Sequence, residues 1–248
     1  MVQTNDLNAA ESPSEPRPRG GPGKQRPGAR VRLIEAGRKL FAESGFTAVS
    51  TRALAQAAGV NLSAITYHFG GKGGLYEAVI RDFLDEVAAH RHRLIDWLDA
   101  AVATAGGDRR RIAAVAADFV RGFFAMLLSP DFLNDRAQIM LRELHNPSAA
   151  FDIIMREHIG PIHDALANLA AAARGCSAEE PEIKLLTHAA IGQLLAFGFA
   201  RPVVLARMGW QHYTPERLDQ VAAAVAPAFL AALGLDPGQA GGGGRRQG

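Results

Sequence analysis

Apolar residues recur at helical spacing along nearly the whole chain. Leu33, Ile34, Gly37, Leu40 and Phe41 share one face of a predicted helix over 29–44, and Gly45 supplies a left-handed stop. A second helix is expected from Ser50 or Thr51, both good N-caps, to Gly59, and a third from Asn61 to about Phe69, before Gly70-Gly71 breaks the chain. Leu75, Val79, Phe83, Val87, Leu94 and Trp97 then mark one long helix over 72–98. Further helices are expected over 109–128, 131–145, 147–174, 182–208 and 214–233, with Pro130, Pro147, Pro181 and Pro215 near their starts, where a missing N–H costs little. Val and Ile never alternate as strands require. The pattern therefore predicts an all-α chain of about nine helices.

The segment TRALAQAAGVNLSAITYHF, Thr51 to Phe69, carries a spacing with three separate physical reasons. Ala55 is small enough to let a second helix approach, Gly59 can take the positive φ of a tight turn, and Ile65 plugs the angle between the two helices. This is helix-turn-helix spacing, with Leu54, Val60 and Phe69 closing a small core against Leu40 and Phe41. The remaining face offers Asn61, Leu62, Ser63, Thr66, Tyr67 and His68, a set of short donors, acceptors and one aromatic without a carboxylate. Such a face suits base edges and phosphates in a major groove. The plain alternative is an αα-corner that only packs.

Charge adds to this picture. The formal net charge is only +2, but Arg17, Arg19, Lys24, Arg26, Arg30, Arg32, Arg38 and Lys39 crowd the first 40 residues. That asymmetry favours a polyanionic partner, against the alternative of a solvated tail. Residues 1–28 are rich in Pro, Gly, Ser and Arg, and 234–248 in Gly, so both ends are expected to be disordered. One cysteine, Cys176, can close no disulfide within the chain, and no signal peptide or membrane span is visible, which points to a cytoplasmic protein. The most apolar stretch, 185–200, contains His188 and Gln193 and reads as a buried helix.

The run from Arg32 to Leu75, with LFAESGFTAVSTRALAQAAGV followed by ITYHFGGKGGLY, resembles the N-terminal signature of TetR-family repressors. The resemblance implies a helix-turn-helix DNA-binding domain over 29–75, joined by a long helix to a helical ligand-binding and dimerisation domain over 76–233. It implies that Tyr67 faces DNA, that His68, Thr51 and Arg52 touch phosphate, and that Lys72 opens the next helix beside the DNA backbone. Thr66 stands where the family commonly has Tyr, and Gly73 where it has an acid. The segments REL at Arg142–Leu144 and HNPS at His145–Ser148, with the helix around His188 to Arg201, resemble the CecR-like subgroup. That likeness implies regulation of export or drug tolerance.

The middle helices are dense in large apolar side chains, most of which must be core. Phe119, Phe123, Met126, Met140, Met155 and Phe197, with Arg142, His145 and His158 as polar groups, are the candidate lining of a small-molecule pocket; Glu143 and His163 stand beside them. His158 and His163 are five apart, the wrong spacing for a helical pair of metal ligands, so neither metal nor cofactor is expected. No G-x-S-x-G elbow, P-loop or paired cysteine supports catalysis. The last two helices, with Gly192, Ala196, Gly198, Ala222, Ala223, Ala226 and Ala231 beside Leu194, Leu195, Phe229 and Leu230, offer either a dimer surface or intramolecular core. The reading is a homodimeric repressor that binds a palindromic operator in double-stranded DNA and is released by a small-molecule effector. An architectural DNA-binding protein without effector is the alternative, and a helical enzyme a remote one.

Overall fold

A computed structural model describes residues 27–128, 135–236 and 238, so the basic extension and the Gly-rich tail lie almost wholly outside the described residues. Among the described residues every regular element is helical. The helices are α1 (Ala29–Ala48), α2 (Thr51–Ala58), α3 (Ser63–Phe69), α4 (Lys72–Ala105), α5 (Arg109–Leu127), α6 (Asp135–His145) and α7 (151–174). They are followed by α8 (Pro181–Phe199), α9 (Arg201–Met208) and α10 (Pro215–Ala232).

Local chemistry sets most boundaries where the pattern placed them. Ser50 Oγ accepts from Ala53 N–H at 3.1 Å to start α2, Asp108 caps α5 through the amides of Arg110 and Arg111, and Thr214 caps α10. Gly45 does break the helical path, at φ 77° and ψ 166°, but a further turn follows it, so α1 runs on to Ala48. The long helix α4 continues past the expected Leu98 to Ala105, roughly 50 Å in all.

Two expectations are corrected. The helix expected over 182–208 is two, α8 and α9, bent by 67° at Ala200. Pro202 follows the break, and its ring leaves the carbonyl of Gly198 without a helical donor. The helix expected over 147–174 begins only at Phe151 and contains a π turn, Met155–Ile159, in which Gly160 N–H reaches back five residues to Met155 O. Pro161, with no N–H for Glu157 O, makes regular α geometry unavailable there. The expected count of nine therefore becomes ten among the described residues.

The side chains form two cores. The smaller is built on Leu33, Phe41, Leu54, Ile65, Leu75 and Ile80. It does not close at residue 75: it runs along α4 to Leu84 and takes in Ile139 of α6 and Ile153 and Ile154 of α7. The larger joins α5, α7, α8 and α10 around Phe119, Phe124, Leu169, Leu194 and Phe229. Leu194, Phe229, Leu230 and Ala222 are thus intramolecular core, whereas Gly192, Ala196, Ala223 and Ala231 lie on the surface. Gly198 packs against the Leu127 side chain, whose Cγ would lie 3.2 Å from a Cβ at that position. Among the described residues no single helix is long and apolar enough to cross a membrane, and Cys176 is exposed and free.

Candidate nucleic-acid interface and cavity

The α2–turn–α3 corner has the geometry its sequence asked for. Gly59 sits at φ 61° and ψ 42°, a left-handed conformation that costs a β-carbon-bearing residue energy, and Val60 N–H returns to Ala55 O at 3.0 Å. Asn61 Oδ1 accepts from Ser63 N–H at 3.2 Å, so its side chain caps α3 although the helix proper begins two residues later. Ile65 is 1% exposed and Ala55 is buried beside it.

The opposite face is open. Tyr67 is 84% exposed, and Leu62, Ser63, Thr66 and His68 are exposed with it. The Tyr67 and His68 rings meet edge to face at 4.9 Å, which stiffens the pair. Arg52 is exposed on the first turn of α2, and Thr51 is half-buried beside it.

Two basic residues are committed internally. Lys72 Nζ donates to Phe46 O and Val49 O, each at 3.0 Å, and lies 4.4 Å from the Phe46 ring centroid. The ammonium is turned toward the end of α1, where it satisfies carbonyls that the helix leaves open. Arg32 similarly donates from Nε to Ala58 O, tying α1 to the end of α2. Sequence spacing carries no signal for either contact, because both partners are backbone atoms more than twenty residues away.

A cavity of about 600 Å³ lies between α4, α5, α6, α7 and α8. Of the nine residues expected to line it, Phe123, Met126, Met140, Met155 and His158 do so. The other four do not. Phe119 is buried in the larger core, near-parallel to Phe229 at 6.0 Å, and Phe197 packs edge-on to Phe124. His145 Nδ1–H donates to its own helix at Leu141 O, 2.8 Å away. Arg142 reaches α1, donating to Ala42 O at 3.2 Å and Glu43 O at 2.9 Å. Its neighbour Glu143, 2% exposed, accepts from Tyr76 Oη at 2.7 Å and from Ser148 N–H and Oγ–H at 3.0 and 3.1 Å. Arg142, Glu143 and Ser148 therefore fasten α6 to the helix-turn-helix unit, while Leu144 of the same helix lines the cavity. Burial, and then the Glu143 hydrogen bond, hold the Tyr76 phenol far above its ordinary pKa, so it stays a donor.

The cavity wall also contains residues outside the nine expected ones, including Phe83, Leu144, Ile162, His188, Ile191 and Leu195. Each faces inward only because five helices converge there, a property of packing and not of any one helix. Its described polar side chains are histidines: His158, His163 and His188. Burial, and then the nearby Arg91 charge, lowers the His158 pKa to about 4; burial, with His188 second, also lowers that of His163. A histidine whose folded pKa is depressed contributes stability that is intact above its unfolded value near 6.5 and is lost as pH falls toward the folded one. The melting temperature should therefore drop between pH 7 and pH 4, and His158→Gln should flatten that drop; an unchanged slope would contradict the neutral buried ring.

Comparison with known proteins places this geometry. The model of bacterial regulatory proteins of the tetR family matches residues 33–79, and that of the C-terminal domain of the HTH-type transcriptional dual regulator CecR matches 115–234. The dual regulator CecR of Shigella flexneri is 32% identical over 193 residues, covering 78% of this chain and 86% of its own. The regulator BetI 2 of Chromohalobacter salexigens is 33% identical over 121 residues, 43% of this chain and 58% of its own. Among solved structures, a Mesorhizobium loti protein classed with the TetR-family regulators aligns with a TM-score of 0.51 at 18% identity, over 82% of this chain and 95% of that one. A linker-substituted mutant of HlyIIR aligns at 0.51 and 16% identity, over 79% and 94%. These structures share the fold. The chain belongs to the TetR family of DNA-binding transcriptional regulators, with a C-terminal domain of the CecR kind.

Proposed function

We propose that the chain is a homodimeric repressor that binds a pseudo-palindromic operator and leaves it when a small molecule enters the cavity. The observation that carries the reading is the α3 face: Leu62, Ser63, Thr66, Tyr67 and His68 are exposed, free of carboxylates, and backed by a rigid corner. Asn61 at the start of α3, with Thr51 and Arg52 at the start of α2, would reach the flanking phosphates. Two such heads on a two-fold dimer would enter successive major grooves about 34–36 Å apart. Support for the dimer comes from the apolar surface of α8 and α9, where Leu185, Val203 and Met208 are exposed.

Release needs an effector that binds one spacing of the heads better than the other. α6 is suited to report occupancy: Met140 and Leu144 line the cavity while Arg142 and Glu143, on the same helix, hold α1 and α4. A shift of α6 is thereby felt by the helix-turn-helix unit without an intermediary.

The test begins with selection from a random duplex pool at near-physiological salt. A two-half-site motif is expected; tight, salt-sensitive retention of unselected DNA would favour the architectural alternative. On the selected operator, Tyr67→Ala should weaken binding roughly tenfold and blur base preference. Lys72→Met should act differently, costing on the order of 1–2 kcal/mol of stability by leaving two carbonyls unpaired. Its effect on the slope of binding against salt should be small. A slope reduced by about 1 would instead return Lys72 to a phosphate.

A further inference from the structure

The π turn Met155–Ile159 stands between the cavity and α4, and its side chains divide between them. Met155, His158 and Ile159 line the cavity. Glu157 accepts from Arg81 Nη1 of α4 at 2.9 Å, and His158 Nδ1 lies 3.4 Å from Nη1 of Arg91, also on α4 and buried. π turns are rare and are frequent at functional sites. Here Gly160 permits the turn, since a Cβ would lie 2.8 Å from Met155 O.

The Arg91 contact determines which nitrogen of His158 carries its proton. A guanidinium has donors only, so Nδ1 is the acceptor, and in the neutral ring the proton is on Nε2. Among the described residues Arg91 is the ring's one hydrogen-bond partner, which leaves the Nε2–H unspent on a side chain of the cavity wall. The guanidinium behind the ring withdraws electron density and strengthens that donor. No carboxylate, and no other charged group, lines the cavity among the described residues, so nothing there offsets the desolvation of a cationic ligand.

Resting on the regulator reading above, we propose that the effector is a predominantly apolar molecule bearing a carbonyl-type oxygen, and that His158, oriented by Arg91, is the residue that reads this oxygen. The oxygen accepts from His158 Nε2–H while the aromatic and aliphatic body fills the space lined by Phe83, Phe123 and Met140. Pulling on His158 shifts Arg91 and the π turn, and with them α4, whose N-terminal end abuts the recognition helix.

Three naphthalenes of nearly equal shape separate the chemistries: 2-acetylnaphthalene, 2-ethylnaphthalene and 1-(2-naphthyl)ethylammonium, each measured by equilibrium dialysis against the full chain. Comparing the ratio of ethyl to acetyl dissociation constants between variant and wild type cancels the ligands' different affinities for water. In His158→Phe that ratio should fall about three- to tenfold, the worth of one hydrogen bond. Arg91→Leu, which keeps the ring and frees its tautomer, should lower it less. An unchanged ratio in both variants overturns the assignment, as does wild-type binding of the ammonium as tight as the ketone, or no binding of any of the three. Retained affinity for 2-ethylnaphthalene shows that a variant is folded. Operator selection on the same samples keeps the two readings apart: an intact operator motif with an unchanged ratio sinks the effector class alone, whereas absence of any motif sinks the regulator reading whatever the cavity holds.

Discussion

Replacing Gly74 by Ala is expected to destabilise the chain by about 3 kcal/mol and to weaken operator binding at least roughly tenfold. A Cβ built at Gly74 would lie 2.0 Å from the carbonyl oxygen of Phe69, the last residue of the recognition helix, and 3.1 Å from its carbonyl carbon. Carbon–oxygen contacts normally begin at about 3.3 Å, so the two backbones must part by more than 1 Å. No side-chain rotation can relieve this, because the obstacle is main chain. Separation tilts α3 relative to α4 and moves Tyr67 off its register. The melting temperature should fall by roughly 6–12 °C. Gly73→Ala is the matched control, since a Cβ there meets nothing and replaces a glycine in a helix; it should be neutral or stabilising by about 0.5–1 kcal/mol. Equal behaviour of the two variants would refute the close approach.

Glu143→Leu is expected to cost about 3–5 kcal/mol. It leaves the buried Tyr76 hydroxyl and the Ser148 amide and hydroxyl without their acceptor, and each orphaned group costs on the order of 1–3 kcal/mol. Tyr76→Phe alone should cost about 1 kcal/mol. The double variant should be less destabilised than the sum, because the hydroxyl orphaned by the first change is removed by the second. Chemical denaturation of the four proteins measures the coupling. Additive losses would mean that the carboxylate and phenol do not depend on each other. The double variant should also respond less to effector, since the Tyr76–Glu143 bond is one of the few polar links from α6 to the helix-turn-helix unit.

These two positions mark the limit of what a one-dimensional reading yields. The corner itself was legible because its requirements are local: Ala55 small, Gly59 left-handed and Ile65 buried are each imposed by neighbours within a few residues. Caps were legible for the same reason, as Ser50 and Asn61 bond amides two or three residues on. Gly74 had no such signal. Its helical backbone asks for no glycine, and only the placement of Phe69 O excludes a side chain.

The cavity shows the same division at larger scale. Hydrophobic period selects the face that a helix buries but is silent on whether that face meets protein or space. Phe119 and Phe123, one turn apart on α5, illustrate it: the first packs on Phe229 and the second lines the cavity. Polar residues in apolar surroundings were equally ambiguous. Arg142 and His158 both looked suited to hold a ligand, yet Arg142 bonds the carbonyls of α1 and His158 faces the cavity. Lys72 matched a phosphate-facing position, and its two bonds to the carbonyls of Phe46 and Val49 had no signal in the sequence.

By itself, then, the amino-acid order determined the all-helical class, the recognition corner with its exposed Tyr67, and most helix ends, because each depends on covalent geometry and on contacts within a turn or two. The tertiary structure decided which charges are internal bolts, which residues hold α6 and α7 against α4, and which side chains surround empty space. Those outcomes depend on groups tens of residues apart competing for the same volume and the same hydrogen bonds, and such competition is settled only when the helices pack.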